Sequence, residues 1–350
     1  MAVFTGCSLN EDLTSRGLAD NYYKSAVQIR TGLNGCYVPA RSVFASIGYW
    51  EMTEVACDCI NMASQSQHNA NCDVSPSRPG IGTQVWQYGY TGVMRSNEMC
   101  VMIDRALKEK NITEEEYKPL YGEAVVLRSL YYYVLTCTFG NVPFYTERVT
   151  DTNRVAISRL PRMSADSTRA YLCRELHKVI LEDGYLPMRR SYEEGTDYYA
   201  GAALGLILGG KMCMWNKDWD GAEEFLLALE TIYNQGVPFA NGEDFGVRYP
   251  LSDVPFCKKF TKESIFEINN QVNAYGNQTS GLIASYTMPR REKFQGASTV
   301  HEEEETERIT GDIYNGIRIP ELGGLARVSG GCYVNKYYYS ALMPFNSGDK

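Results

Sequence analysis

No stretch of this 350-residue chain approaches the run of about 18 apolar residues that a membrane-crossing helix needs. It has no cluster of lysine and arginine, and its net charge is −8, so no nucleic-acid partner is expected. Histidine is scarce: His68, His177 and His301 are the only three, with no HExxH spacing and no GxSxG serine to serve. Among eleven cysteines there is no CxxC pair, and Cys57 with Cys59 has no matching second pair. Neither a metal nor a cofactor is expected on that pattern. The chain is also too long for a small disulfide-stapled scaffold, so most cysteines read as small buried hydrophobes. With 44% hydrophobic and 22% charged residues, the composition is that of a folded globular protein.

No catalytic constellation emerges from what is there, and no enzyme is expected. Gly205-Leu206-Ile207-Leu208-Gly209-Gly210-Lys211 matches the start of a phosphate loop. Met212, however, stands where a Ser or Thr would ligate magnesium, and the intervening residues are apolar. Glu302, Glu303, Glu304 and Glu305 read as a solvated charge run. Tyrosine is abundant, at 26 residues, and offers an apolar face with a polar tip.

The first residues are short, apolar and end in small side chains before a cysteine: Phe4-Thr5-Gly6-Cys7. The string resembles the end of a bacterial lipoprotein signal, in which the cysteine, here Cys7, carries the lipid. The polar residues Ser8 to Asp12 fit a tether. Residues 18–37 then read as a helix that closes near Gly35. The stretch 61–83 is rich in Asn, Gln, Ser, Pro and Gly and reads as a long loop, a frequent place for function. Residues 84–108 return to a helical period through Val85, Val93, Cys100, Ile103 and Leu107. Thr113 and Glu116 form a capping box for the next helix, whose stripe is Leu120, Ala124, Leu127, Tyr131 and Val134. Gly140 and Pro143 end it, and Pro119 suggests a kinked or separate first turn. These two helices should pack as an antiparallel hairpin.

Another helix is expected over 166–182. A second hairpin follows over 198–215 and 220–236, with its second helix capped by Asp220 and Glu223 and lined by Ala222, Phe225, Leu229, Ile232 and Tyr233. It is close to the ~34-residue period of tetratricopeptide units. Trp86, Trp215 and Trp219 lie in helical stretches and are expected in the core. After Gly236 the sequence reads as loops with short strand-like runs, notably 264–268.

Taken together these strings resemble the SusD (RagB/SusD) family of outer-membrane nutrient-binding lipoproteins. The clearest is Gly122-Glu123-Ala124, then Leu127-Arg128-Ser129-Leu130-Tyr131-Tyr132, then Phe139-Gly140-Asn141-Val142-Pro143. Tyr49-Trp50-Glu51, Asn97, Asp218-Trp219-Asp220-Gly221-Ala222 and Ile265-Phe266-Glu267-Ile268 follow in the family's order. The resemblance implies a mainly α fold: a tetratricopeptide-like scaffold of helical hairpins with long irregular loops and a few short strands. It implies a signal remnant and tether over 1–17, then a nutrient-binding domain over 18–350. The helical pair that usually ends the family pattern does not follow 336–350, so the C-terminal part of the fold is expected to be missing. The implied role is capture of glycans at the outer-membrane surface, held by a lipid anchor, and their delivery to a SusC-like TonB-dependent transporter.

Sugar binding requires aromatic faces and short polar side chains on loops. The 61–83 stretch offers Gln67, His68, Asn69, Asn71 and Arg78, and the later region offers Asn273, Tyr275 and Arg290. Two rival roles keep the helices but change the cargo: an oligopeptide-binding member of the same family, and a helical-repeat scaffold that binds only proteins.

Overall fold

The structure is a computed structural model that describes residues 22–44, 49, 53, 60–62, 82–188, 199–234, 264–268 and 332–334. Helix makes up 74% of these, in agreement with the mainly α expectation. The chain divides into two compact units, one of residues 1–38 and 90–267, the other of residues 39–89 and 268–350. In the second unit the described residues include a short antiparallel pair, β1 (Ile60–Met62) with β4 (Cys332–Val334). All else below concerns the first unit, apart from the residues of α1 and α2 that lie beyond its bounds.

Helix α1 (Ala26–Phe44) runs past the expected stop at Gly35 and carries Pro39 inside it. Proline lacks the N–H that would reach back to the carbonyl four residues earlier, that of Gly35. The Arg95 Nη1 donates to that same Gly35 carbonyl at 2.7 Å. A long-range side chain thus replaces the lost backbone bond, and the helix continues.

Helix α2 (Gly82–Lys108) buries Val85, Val93, Cys100 and Ile103 as its period predicts, with Leu107 at the margin. Its start takes in Gly82 and Thr83, and β1 takes in Asn61 and Met62, so both ends of the expected loop are ordered elements; residues 63–81 lie outside the described set. Helix α3 (Glu114–Phe139) opens on the expected box, with the Glu116 N–H donating to Thr113 Oγ1 (3.3 Å) and the Thr113 N–H to Glu116 Oε2 (3.0 Å). It is continuous through Pro119, because the Glu115 carbonyl left without a donor belongs to an exposed residue that water can serve. Gly140 closes it at φ 69°, a backbone conformation that favours glycine.

Gly92 faces the Tyr131 ring, Asn97 meets Arg128, and Asp104 meets Tyr117. Numbers rise along α2 as they fall along α3, the signature of the antiparallel hairpin. A two-residue ladder follows, β2 (Val142–Pro143) with β3 (Arg162–Met163), with the short α4 (Arg154–Ser158) between them.

Helix α5 (Ala165–His177), capped by Ser164, loosens into a π-helical turn over Lys178–Glu182. Helix α6 (Ala202–Trp215) and α7 (Trp219–Asn234) form the second hairpin. The cap of α7 is Asp218, whose Oδ1 accepts from the Gly221 N–H at 3.1 Å, and not the expected Asp220–Glu223 pair. Asp220 falls instead in the first turn, where its charge still suits the helix dipole. Ala222, Phe225 and Leu229 are buried, with Ile232 and Tyr233 partly so; Gly236 lies outside the described residues. Residues 264–268 are not a strand, since no ladder partner takes them up among the described residues. They are held by Tyr233, whose hydroxyl donates to the Ser264 carbonyl at 2.9 Å.

The glycines of α6 are what let its neighbours approach. A Cβ on Gly209 would stand 2.7 Å from the Phe225 ring, and one on Gly210 would stand 2.9 Å from Leu226. The G-x-x-x-x-G-K string is therefore a packing face and no phosphate cradle. His177 bridges two helices at one edge of this group: Nδ1 lies 3.0 Å from Glu182 and Nε2 lies 3.0 Å from Glu224 of α7. Burial pulls its pKa down, but the Glu224 and Glu182 carboxylates outweigh burial and leave it raised.

Two outcomes follow from this packing. Gly209→Ala should cost about 1–3 kcal/mol in chemical denaturation, because a buried phenyl ring must move aside; an unchanged midpoint would mean the helices are not in close contact. A raised histidine pKa contributes stability that is present below the unfolded value of 6.5 and is lost as pH rises through the folded one. The Tm difference between the parent chain and His177→Gln should accordingly be larger near pH ~6 than near pH ~9. Equal differences at both pH values would rule out the bridge.

Candidate functional site

The string that carries the family resemblance lies on α3, which is buried nearly all round from Leu120 to Thr136. Two charges in so apolar a setting require partners. Both find them on other elements. Glu123, buried, receives Arg30 Nη1 from α1 at 2.7 Å and the Tyr37 hydroxyl at 2.7 Å. The Tyr37 oxygen in turn accepts the Ala200 N–H at 2.7 Å. Burial first, and then the Glu123 carboxylate, push the Tyr37 pKa well above its ordinary value, so the hydroxyl stays a donor. Arg30 also stacks on Tyr199, its guanidinium carbon 4.0 Å from the ring centre, and Tyr37 packs near Tyr199 and Phe266.

Arg128 points to the other side of the helix. Its Nη2 reaches both oxygens of Glu175 on α5 at 2.8 Å, and its Nη1 donates to Asn97 Oδ1 on α2 at 3.3 Å. Asn97 passes the connection on, its Nδ2 donating to the Tyr145 carbonyl at 3.0 Å. Tyr132 holds the same residue twice: its hydroxyl donates to the Tyr145 carbonyl at 2.7 Å and accepts the Tyr145 N–H at 2.9 Å. Tyr131 donates its hydroxyl to the Cys36 carbonyl in α1. Gly122 makes room for Leu186, since a Cβ there would lie 2.8 Å from that side chain. Glu123 and Tyr131 thus tie α3 to α1, Arg128 ties it to α2 and α5, and Tyr132 ties it to Tyr145, while Ser129 bonds back to Val125 within the helix; the chemistry of this cluster is structural.

Aromatic surface is displayed elsewhere. Tyr117, Tyr121 and Tyr185 form a partly exposed triad with ring centres 5.2–6.2 Å apart. Trp215 and Trp219 flank the α6–α7 turn at 57% and 64% exposure, which corrects the expectation of core positions; Trp86 is intermediate. Both tryptophans fall at helix ends. Trp215 is steadied by the buried Arg169, 5.0 Å from its ring.

None of the residues that sequence reasoning offered for ligand contact is brought into view. Gln67, His68, Asn69, Asn71, Arg78, Asn273, Tyr275 and Arg290 all lie outside the described residues, as does Cys7. The residues that sequence reasoning missed are the partners Arg30, Tyr37, Glu175 and Ala200. The signal for them was present in Glu123 and Arg128, two charges within an otherwise apolar helix. Among the described residues no group of three His, Cys, Asp or Glu could hold a metal, and no helix is long and apolar enough to cross a membrane.

Comparison with known proteins settles what the scaffold is. Residues 18–182 match the family model SusD-like_3, described as starch-binding and associating with the outer membrane. Over those residues, just under half of the chain, it is similar to the SusD-like family. Surface glycan-binding protein A from Bacteroides uniformis superposes with a TM-score of 0.60 at 20% identity, covering 79% of this chain and 57% of that one. A SusD-like protein from Bacteroides fragilis gives 0.58 at 19% identity, covering 78% and 50%. Surface glycan-binding protein A from Bacteroides thetaiotaomicron, solved in complex with laminarihexaose, gives 0.61 at 19% identity, covering 90% and 60%. At such identities the likeness concerns the fold. The chain spans about half to three fifths of the length of these solved relatives. No curated protein matches its sequence.

The ion pair of Arg128 yields an asymmetric outcome. Arg128 keeps 3% of its side-chain surface and Glu175 keeps 23%. Glu175→Leu should strand a buried guanidinium and cost about 3–5 kcal/mol, whereas Arg128→Met leaves a carboxylate that water can reach and should cost less. Denaturant melts of the two variants check the order; the reverse order would contradict this burial pattern.

Proposed function

We propose that this chain captures glycans at the cell surface without catalysis and hands them to a TonB-dependent transporter. The observation that carries the reading is the SusD-like match over residues 18–182, whose family is described as starch-binding and outer-membrane-associated. It is supported by the likeness in fold to surface glycan-binding proteins, one of them solved with laminarihexaose. In this reading residues 1–17 are the signal remnant and tether, Cys7 carries the lipid, and residues 18–350 form the binding domain. The helices hold a frame, and the ligand contacts come from the segments carrying Gln67, His68, Asn69, Asn71 and Arg78, and Asn273, Tyr275 and Arg290. A bound sugar needs only hydrogen-bonding amides, a few charged groups and a ring to stack on, which is the chemistry those residues supply.

Native affinity electrophoresis against a panel of polysaccharides that includes laminarin tests this. One glycan class should retard the protein with no release of reducing ends. Each of His68→Ala, Asn69→Ala and Tyr275→Ala should weaken binding by roughly 2- to 10-fold, the worth of a lost hydrogen bond or ring face. Liberated sugar would identify an enzyme. Silence across the panel together with calorimetric heat from oligopeptides would transfer the reading to peptide cargo.

A further inference from the structure

Helices α5 and α6 run antiparallel along one seam. Asp166 offers its carbonyl to Asn216 Nδ2 at 2.8 Å near one end of it. At the other end Gly205 lies against Ile180. Midway, Cys173 and Cys213 face each other with their sulfurs 3.4 Å apart. Both are free thiols and both are buried, at 8% and 3% exposure. Cys173 also leans on the Gly209 carbonyl, 3.7 Å from its sulfur, so the glycine face of α6 is what admits it. Two small hydrophobes that happened to share a core would not need to meet sulfur to sulfur.

We propose that Cys173 and Cys213 form a redox-reversible disulfide that locks α5 to the α6–α7 hairpin. A disulfide requires sulfurs near 2.05 Å, so the pair must close by about 1.4 Å, a distance within reach of side-chain rotation in both residues. The reaction is exchange with an oxidant that itself carries a disulfide. One cysteine thiolate attacks that disulfide, forming a mixed disulfide and expelling one thiolate of the oxidant. The second cysteine attacks its neighbour's sulfur, closes the Cys173–Cys213 bond and expels the other. Two electrons pass to the oxidant, and its two thiolates take up the two protons that the cysteines lose. The shared contact favours ionisation of one member: the Cys213 pKa is lowered by its hydrogen bond with Cys173, whose own pKa is raised by that bond and by burial. The bond would close a loop of about 40 residues, a length at which cross-linking restricts the unfolded chain substantially.

The test uses the full chain, treated with oxidised glutathione or with dithiothreitol. Free thiols are alkylated in denaturant, and the digest is mapped by mass spectrometry. A Cys173–Cys213 linked peptide, two hydrogens lighter than its parts, should appear after oxidation and vanish on reduction. Oxidation should also raise Tm by roughly 5 °C, and Cys173→Ala and Cys213→Ala should each abolish that rise. Should either variant fail to fold, the peptide map of the unmutated chain still decides. Quantitative alkylation of both cysteines after oxidant, glutathione adducts in place of the link, or a link that lowers Tm would overturn the proposal.

Discussion

Helix α3 is buried on nearly every side, and it carries two charges that water cannot reach. Glu123 and Arg128 are each 3% exposed or less, and each is answered by a charged partner from another helix. Removing either partner would leave an ion in an apolar interior, at a cost comparable to a large part of a domain's net stability. The remaining helices are therefore constrained in position and not merely attracted by apolar area. Helix α1 must bring Arg30 and Tyr37 to one side, α2 must bring Asn97 to the other, and α5 must present Glu175. Directional contacts of this kind select one arrangement of helices among the many that would bury similar surface.

A second constraint is close approach. Tyr131 lies against Gly92 while its hydroxyl is engaged by α1, and Gly205, Gly209 and Gly210 let α6 sit against Ile180, Phe225 and Leu226. The two hairpins thus use small residues where backbones come near, and tyrosine hydroxyls reach from α3 to backbone carbonyls of neighbouring segments. The Pro39 break in α1 shows the same economy, with Arg95 serving the carbonyl that proline abandons.

Much of the frame was legible in the sequence. The capping box at Thr113, the Gly140 stop and the stripes of α2 and α3 are local signals, and local signals survive folding. The misreadings share a physical cause. The stop near Gly35 and the kink at Pro119 were read from the glycine and the proline alone, whereas a distant arginine serves the Gly35 carbonyl and solvent serves that of Glu115. Trp215 and Trp219 were placed in the core because they fall in helical stretches, but they lie at the helix ends and are exposed. The charged partners of Glu123 and Arg128 are some 50 to 90 positions away in sequence, beyond any periodicity. The binding residues were chosen on composition alone, and composition identifies the kind of ligand a segment suits without the geometry that would hold it.

In the proposed function the α3 clamp is structural and ligand capture belongs to the two segments that carry Gln67 to Arg78 and Asn273 to Arg290. Hydrogen–deuterium exchange of the full chain, with and without a saturating glycan selected by retardation, tests that division directly. New protection should appear in those two segments, with exchange along α3 unchanged. Protection concentrated on α3 and its partners, with none in the two segments, would contradict it.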